Sequence, residues 1–115
     1  MHALIVEDEP IIAMEIEDIL RENGYRSFAF AVSAREAIDE VTSRCPDLKT
    51  SDVKLNPGNG MDAIEEICGH SVIPVIFITS SPEDVRKRLP QYHVLQKPFG
   101  ASQLEGILGQ LRPGG

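Results

Sequence analysis

The chain has 115 residues with 42% hydrophobic and 25% charged side chains, enough for one compact domain and inconsistent with a disordered chain. Its 11 Lys plus Arg against 18 Asp plus Glu give a net charge of -7, which argues against a direct nucleic-acid binder, since such proteins need a basic face. No apolar run reaches the roughly 18 residues of a membrane span, the start MHALIVEDE has no basic n-region, and Cys45 and Cys68 make neither a disulfide framework nor a zinc set, so a cytoplasmic protein with no membrane contact is expected.

Ala3–Val6 is short, branched and continuous, the pattern of a parallel strand buried on both faces. Glu7, Asp8 and Glu9 stop it, and Pro10 suits the first turn of a helix. Ile12, Ile16, Ile19 and Leu20 form one apolar stripe that ends at Asn23 and Gly24. Ser27–Val32 reads as a second strand. Ser33 and Glu36 have capping-box spacing for a helix carrying Ala34, Ala37, Ile38 and Val41. A weak, polar third strand leads to Asp52 and Val53, followed by a loop over 54–59 and a helix from about Gly60 to Cys68. Pro74–Thr79 is a clear strand, Pro82–Leu89 a short polar helix, and Val94–Gln96 a fifth strand. Leu104, Ile107, Leu108 and Leu111 give the last helix its stripe.

Five β-α units in a row predict a parallel sheet with right-handed crossovers and helices on both faces. Residues 1–115 then form one domain with its core over about 2–111. In such a sheet the site lies at the carboxyl ends of the strands. Those ends carry Glu7, Asp8 and Glu9, then Asp52, then Thr79 and Ser80, then Lys97. Carboxylates without His or Cys make a hard-oxygen site that suits Mg²⁺ rather than zinc. Asp8 and Asp52 are the expected direct ligands and Glu7 acts through water. A carboxylate beside a bound cation stays ionised and can attack phosphorus, while Lys97 and the Thr79 hydroxyl take other phosphoryl oxygens.

Glu7-Asp8 after the first strand, Asp52 after the third, Thr79 after VIFI and Lys97-Pro98-Phe99 together resemble the receiver domain of two-component response regulators. The resemblance implies a flavodoxin-like fold of strand order 2-1-3-4-5. It implies Asp52 as phosphoacceptor, and Glu7, Asp8, Asp52 and the Lys54 carbonyl around Mg²⁺. It further implies Thr79 as switch hydroxyl, Lys97 as phosphate-contacting lysine and a cis Lys97-Pro98 bond. The donor would be a phosphohistidine on a sensor kinase or phosphotransfer protein. A downstream partner would dock on the face made by the fourth helix, fifth strand and fifth helix. Such a protein is a phosphorylated signalling module, not a dedicated enzyme, and a monomer or weak dimer. The segment LNPGNG and the strand Ile73–Thr79 are similar to receivers of bacterial stress-response regulators.

Three features depart from that pattern. Lys49 interrupts a strand that is normally apolar, so it must snorkel out or the strand must be short and loose. Val94 stands where an aromatic side chain is usual. Thr79 to Lys97 spans 18 positions, about one helical turn fewer than usual, so the fourth helix is shortened between Pro82 and Pro90. These departures keep open a degenerate receiver that docks without phosphorylation. A flavin or nucleotide site is disfavoured because Glu7-Asp8-Glu9 would repel a phosphate, and a haloacid-dehalogenase-type phosphatase would need a DxD arrangement after strand one. His2 and His70 are expected at the surface, Cys45 and Cys68 on apolar helix faces, and Arg86-Lys87-Arg88 on a solvated helix face or an acid-binding patch.

Overall fold

The computed structural model describes residues 1–54, 67–68 and 71–111. Its main sheet is built from β1 (His2–Val6), β2 (Ser27–Ala31), β3 (Leu48–Ser51), β6 (Val75–Thr79) and β7 (His93–Gln96). These strands are all parallel, in the order β2-β1-β3-β6-β7. Counting only the strands of this sheet, that is the expected 2-1-3-4-5. A separate antiparallel pair, β4 (Ile67–Cys68) and β5 (Ser71–Val72), lies between them in sequence. The helix expected to end at Cys68 is therefore corrected at its last two residues, where β-branched Ile67 and Val72 pair across strands. The remainder of that segment, with the LNPGNG loop and His70, lies outside the described residues.

Helices α1 (Pro10–Glu22) and α4 (Ala101–Leu111) cover one face of the sheet. There Ile16, Leu20, Leu104 and Leu108 pack on Ala3, Ile5, Leu48, Ile76, Ile78 and Leu95. On the other face α2 (Ala34–Ser43) packs Ala37 against Leu4, Val6 and Ala31. Helix α3 (Pro82–Arg88) packs Val85 against Val75 and Phe77. The ends follow the local chemistry. Pro10 opens α1, and Gly24 beyond its C-cap adopts φ +97°, a backbone that glycine tolerates without strain. The Ser33 hydroxyl accepts from the Glu36 amide at 3.2 Å, while the Glu36 carboxylate reaches the amide of Val32.

The third strand is polar in sequence yet wholly buried. Lys49 is only 2% exposed, so it does not snorkel, and β3 keeps full register with Leu4 on one side and Val75 on the other. β3 has four residues, as does β7. Thr50 faces Ile5 and Ile76 in register, and its buried hydroxyl has no hydrogen-bond partner among the described residues. Thr50→Val removes that unpaired oxygen at nearly constant shape. It is expected to stabilise the fold by about 1–2 kcal/mol, read as a higher urea midpoint at constant slope. A loss of stability would show that the hydroxyl is satisfied in solution.

Two placements differ from expectation. His2 is buried, with its ring Nδ1 2.8 Å from the Ser27 hydroxyl. Burial, followed by the nearby Arg44 charge, holds its pKa below the usual value. The first strand starts one residue earlier than its apolar run, which draws the ring inside. Cys45 lies exposed beyond the α2 C-cap rather than on a helix face.

Candidate functional site

Parallel pairing brings the carboxyl ends of β1, β3, β6 and β7 to one edge of the sheet. The ladders run past the strands to lock the next residues. The Asp52 amide donates to the Val6 carbonyl at 3.0 Å, and the Lys97 amide to the Thr79 carbonyl at 2.9 Å. Above this edge opens a cleft of about 650 Å³ that includes Asp8, Asp52, Lys54, Ser80 and Lys97 in its lining.

Lys97 organises the cleft. Its ammonium Nζ lies 3.0 Å from Asp52 Oδ2 as a hydrogen-bonded ion pair. It is also 2.7 Å from Glu7 Oε1, a second ion pair. Burial works against the ammonium, but the contacts to Glu7 and Asp52 outweigh it and hold its pKa above the usual range. For Glu7 burial dominates instead, and its pKa is raised despite Lys97. The backbone fixes both carboxylates, with the Glu9 amide donating to Glu7 Oε2 at 3.1 Å and the Val53 amide to Asp52 Oδ1 at 2.7 Å.

Each of Glu7, Asp8 and Asp52 offers an oxygen within 4.8 Å of the others. Glu7 and Asp52 are buried and Asp8 is exposed toward the cleft. Three carboxylates with no nitrogen or sulfur donor suit a small hard cation that keeps positions open for water and phosphate. Thr79 is buried, and its hydroxyl accepts from the Ser81 amide at 3.0 Å, which ties the end of β6 to the start of α3. The bond between Lys97 and Pro98 is cis.

The sequence-derived residues Glu7, Asp8, Asp52, Lys54, Thr79 and Lys97 thus gather at one edge. Ile12, which the sequence places in an apolar stripe, and Glu15, which it does not single out, also line the cleft. The signal was present, because they fall one and two helical turns beyond Asp8 on α1. No aromatic replaces Val94 in place. Tyr92 instead packs edge-on against Phe77, ring centroids 5.7 Å apart.

The model of the response regulator receiver domain matches residues 3–108. The transcriptional regulatory protein PdtaR of Mycobacterium tuberculosis is 35% identical over 105 residues, covering 88% of this chain and 51% of that protein. The chain thus spans about half the length of this curated relative. The solution structure of the PhyR receiver domain from Erythrobacter litoralis superposes with a TM-score of 0.84 at 32% identity, covering 99% of this chain and 95% of that one. The receiver domain of the sensor histidine kinase PA1611 from Pseudomonas aeruginosa, solved with a magnesium ion in its active-site cleft, has a TM-score of 0.77 at 28% identity over 95% of this chain and 94% of its own. With the sheet order and the edge of carboxylates, these matches place the chain in the response regulator receiver domain family.

Proposed function

We propose that this receiver domain takes a phosphoryl group from a phosphohistidine onto Asp52. The observation that carries the reading is the Asp52 carboxylate in the cleft, beside Glu7 and Asp8 and 3.0 Å from the Lys97 ammonium. An Asp52 oxygen attacks phosphorus while the bond to the donor imidazole nitrogen breaks, and that nitrogen keeps the electron pair. Lys97 balances charge on the oxygens of the transferring group, and the Thr79 hydroxyl donates to another. A Mg²⁺ ion held by Glu7, Asp8, Asp52 and the Lys54 carbonyl would neutralise phosphoryl charge.

Turning the Thr79 side chain toward the phosphoryl group draws its hydroxyl from the Ser81 amide, which loosens the start of α3. That movement biases the face formed by α3, β7 and α4, where a downstream protein docks. The reading makes the protein a signalling component of the cytoplasm, fed by a histidine kinase or phosphotransfer protein. It also loses its phosphate by hydrolysis without being a dedicated enzyme.

Incubation with Mg²⁺ and a small phosphoramidate donor, followed by intact mass, tests this. One phosphoryl adduct is expected on the parent and none on Asp52→Asn. An unmodified parent would favour the second reading, a receiver that docks without phosphorylation.

A further inference from the structure

Strand β2 forms one edge of the sheet and, among the described residues, is paired only with β1. The Ala31 carbonyl accepts from Glu7 at 2.9 Å. Main-chain groups alternate along a parallel ladder, so those of Ser27, Ala29 and Ala31 face β1 and those of Phe28 and Phe30 face outward. Natural edges are usually protected by proline, lysine, a bulge or an inward charge. The sequence SFAFA has no proline or charge, and all five residues hold regular register with β1.

Beside this edge lies an apolar groove of about 290 Å³ between α1 and β2. Pro10, Met14, Phe30 and Val32 line it, with Asp8 and Glu17 also in the lining. Met14 is 63% exposed, and Phe30 and Val32 are each 45% exposed. The groove shares Asp8 with the phosphoacceptor cleft, while Met14, Glu17, Phe30 and Val32 line the groove and not the cleft.

We propose that β2 pairs antiparallel with β2 of a second copy of this chain, about a two-fold axis at Ala29. In that register the outward amides and carbonyls of Phe28 and Phe30 meet those of the partner's Phe30 and Phe28. The Phe28 and Phe30 rings, already stacked at 6.5 Å, extend into a row of four rings on the α1 side of the seam. The partner's Arg26 falls opposite Val32, at a groove lined by Glu17, whose Oε2 already holds Arg21 at 2.7 Å and whose Oε1 has no partner among the described residues. Two-fold symmetry makes each copy supply both the arginine and the Glu17 carboxylate, so one patch is complementary to itself. That charge match, together with outward main-chain groups in self-pairing positions, selects a second copy over an apolar small molecule or an unrelated partner.

Sedimentation velocity over rising protein concentration is expected to show reversible passage from monomer to dimer. Phe30→Lys adds an edge charge and should leave only monomer while the circular dichroism melt stays cooperative. Ala29→Cys places two thiols at the axis, where Cα atoms of a non-hydrogen-bonded pair stand about 4.5 Å apart. Mild oxidation should therefore give a covalent dimer that forms faster as concentration rises. A chain that stays monomeric throughout overturns the proposal. So does a dimer that survives Phe30→Lys, or one in which Ala29→Cys does not cross-link. Should Phe30→Lys fail to fold, the cysteine variant still decides.

Discussion

Replacing Lys97 with alanine is expected to destabilise the folded protein by about 3–5 kcal/mol at neutral pH, the usual consequence of stripping one partner from a buried ion pair. The side chains involved are scarcely hydrated, with Glu7 1%, Asp52 11% and Lys97 13% exposed. Without the ammonium, two carboxylates face each other with no counter-charge between them. Burial already raises the Glu7 pKa, and loss of Lys97 removes the opposing influence, so proton uptake by Glu7 relieves the variant as the pH falls. The difference between variant and parent in urea unfolding should therefore shrink toward mildly acid pH. Added Mg²⁺ should also stabilise the variant more than the parent, because ligand binding to the native state is linked to its stability. Phosphoryl adduct formation should fall by about a hundredfold or more, the scale for losing one preorganised charge-stabilising donor. A variant as stable as the parent at all pH values would mean that the ion pairs are absent in solution.

Phe77→Ala should cost about 3–5 kcal/mol, a large part of the 5–15 kcal/mol typical of a whole domain. Phe77 is 0% exposed. It stands in register between Ser51 of β3 and Val94 of β7, with Val85 and Leu89 packed over it and the Tyr92 ring at its edge. Phe77→Leu keeps most of that volume and should cost clearly less. Urea unfolding at constant slope checks the order. Equal costs for the two variants would show that the site collapses around the alanine. Because the same ring supports α3 and the turn into β7, the alanine variant should also lose hydrogen-exchange protection in α3 before the rest of the sheet.

The site was legible in sequence because its chemistry sits where periodicity stops. Glu7, Thr79 and Lys97 stand at or just past the end of a short apolar run and Asp52 just past the polar third strand, and parallel pairing alone is enough to bring such ends together. The fate of Lys49 was not legible, since a strand pattern records polarity but not whether a four-residue strand remains paired on both sides with its ammonium inside. His2 was misjudged for a similar reason. It lies just outside the apolar run, yet pairing with Ser27 draws it into the sheet. The strand at Ile67–Cys68 escaped because two residues carry no measurable periodicity. Tyr92 lies two positions before Val94, but its edge-on contact with Phe77 depends on how the turn after α3 is threaded.

The seven residues of α3 amount to a rod of about 10 Å. A helix this short does not persist alone in water, so its order is borrowed from Val85 and Leu89 against the sheet. A disturbance entering at Ser81 cannot be carried along such a rod as a tilt, because there is too little length to amplify an angle. The segment can respond only by holding its seat or giving it up, which makes this end of the protein a contact that is present or absent rather than a lever.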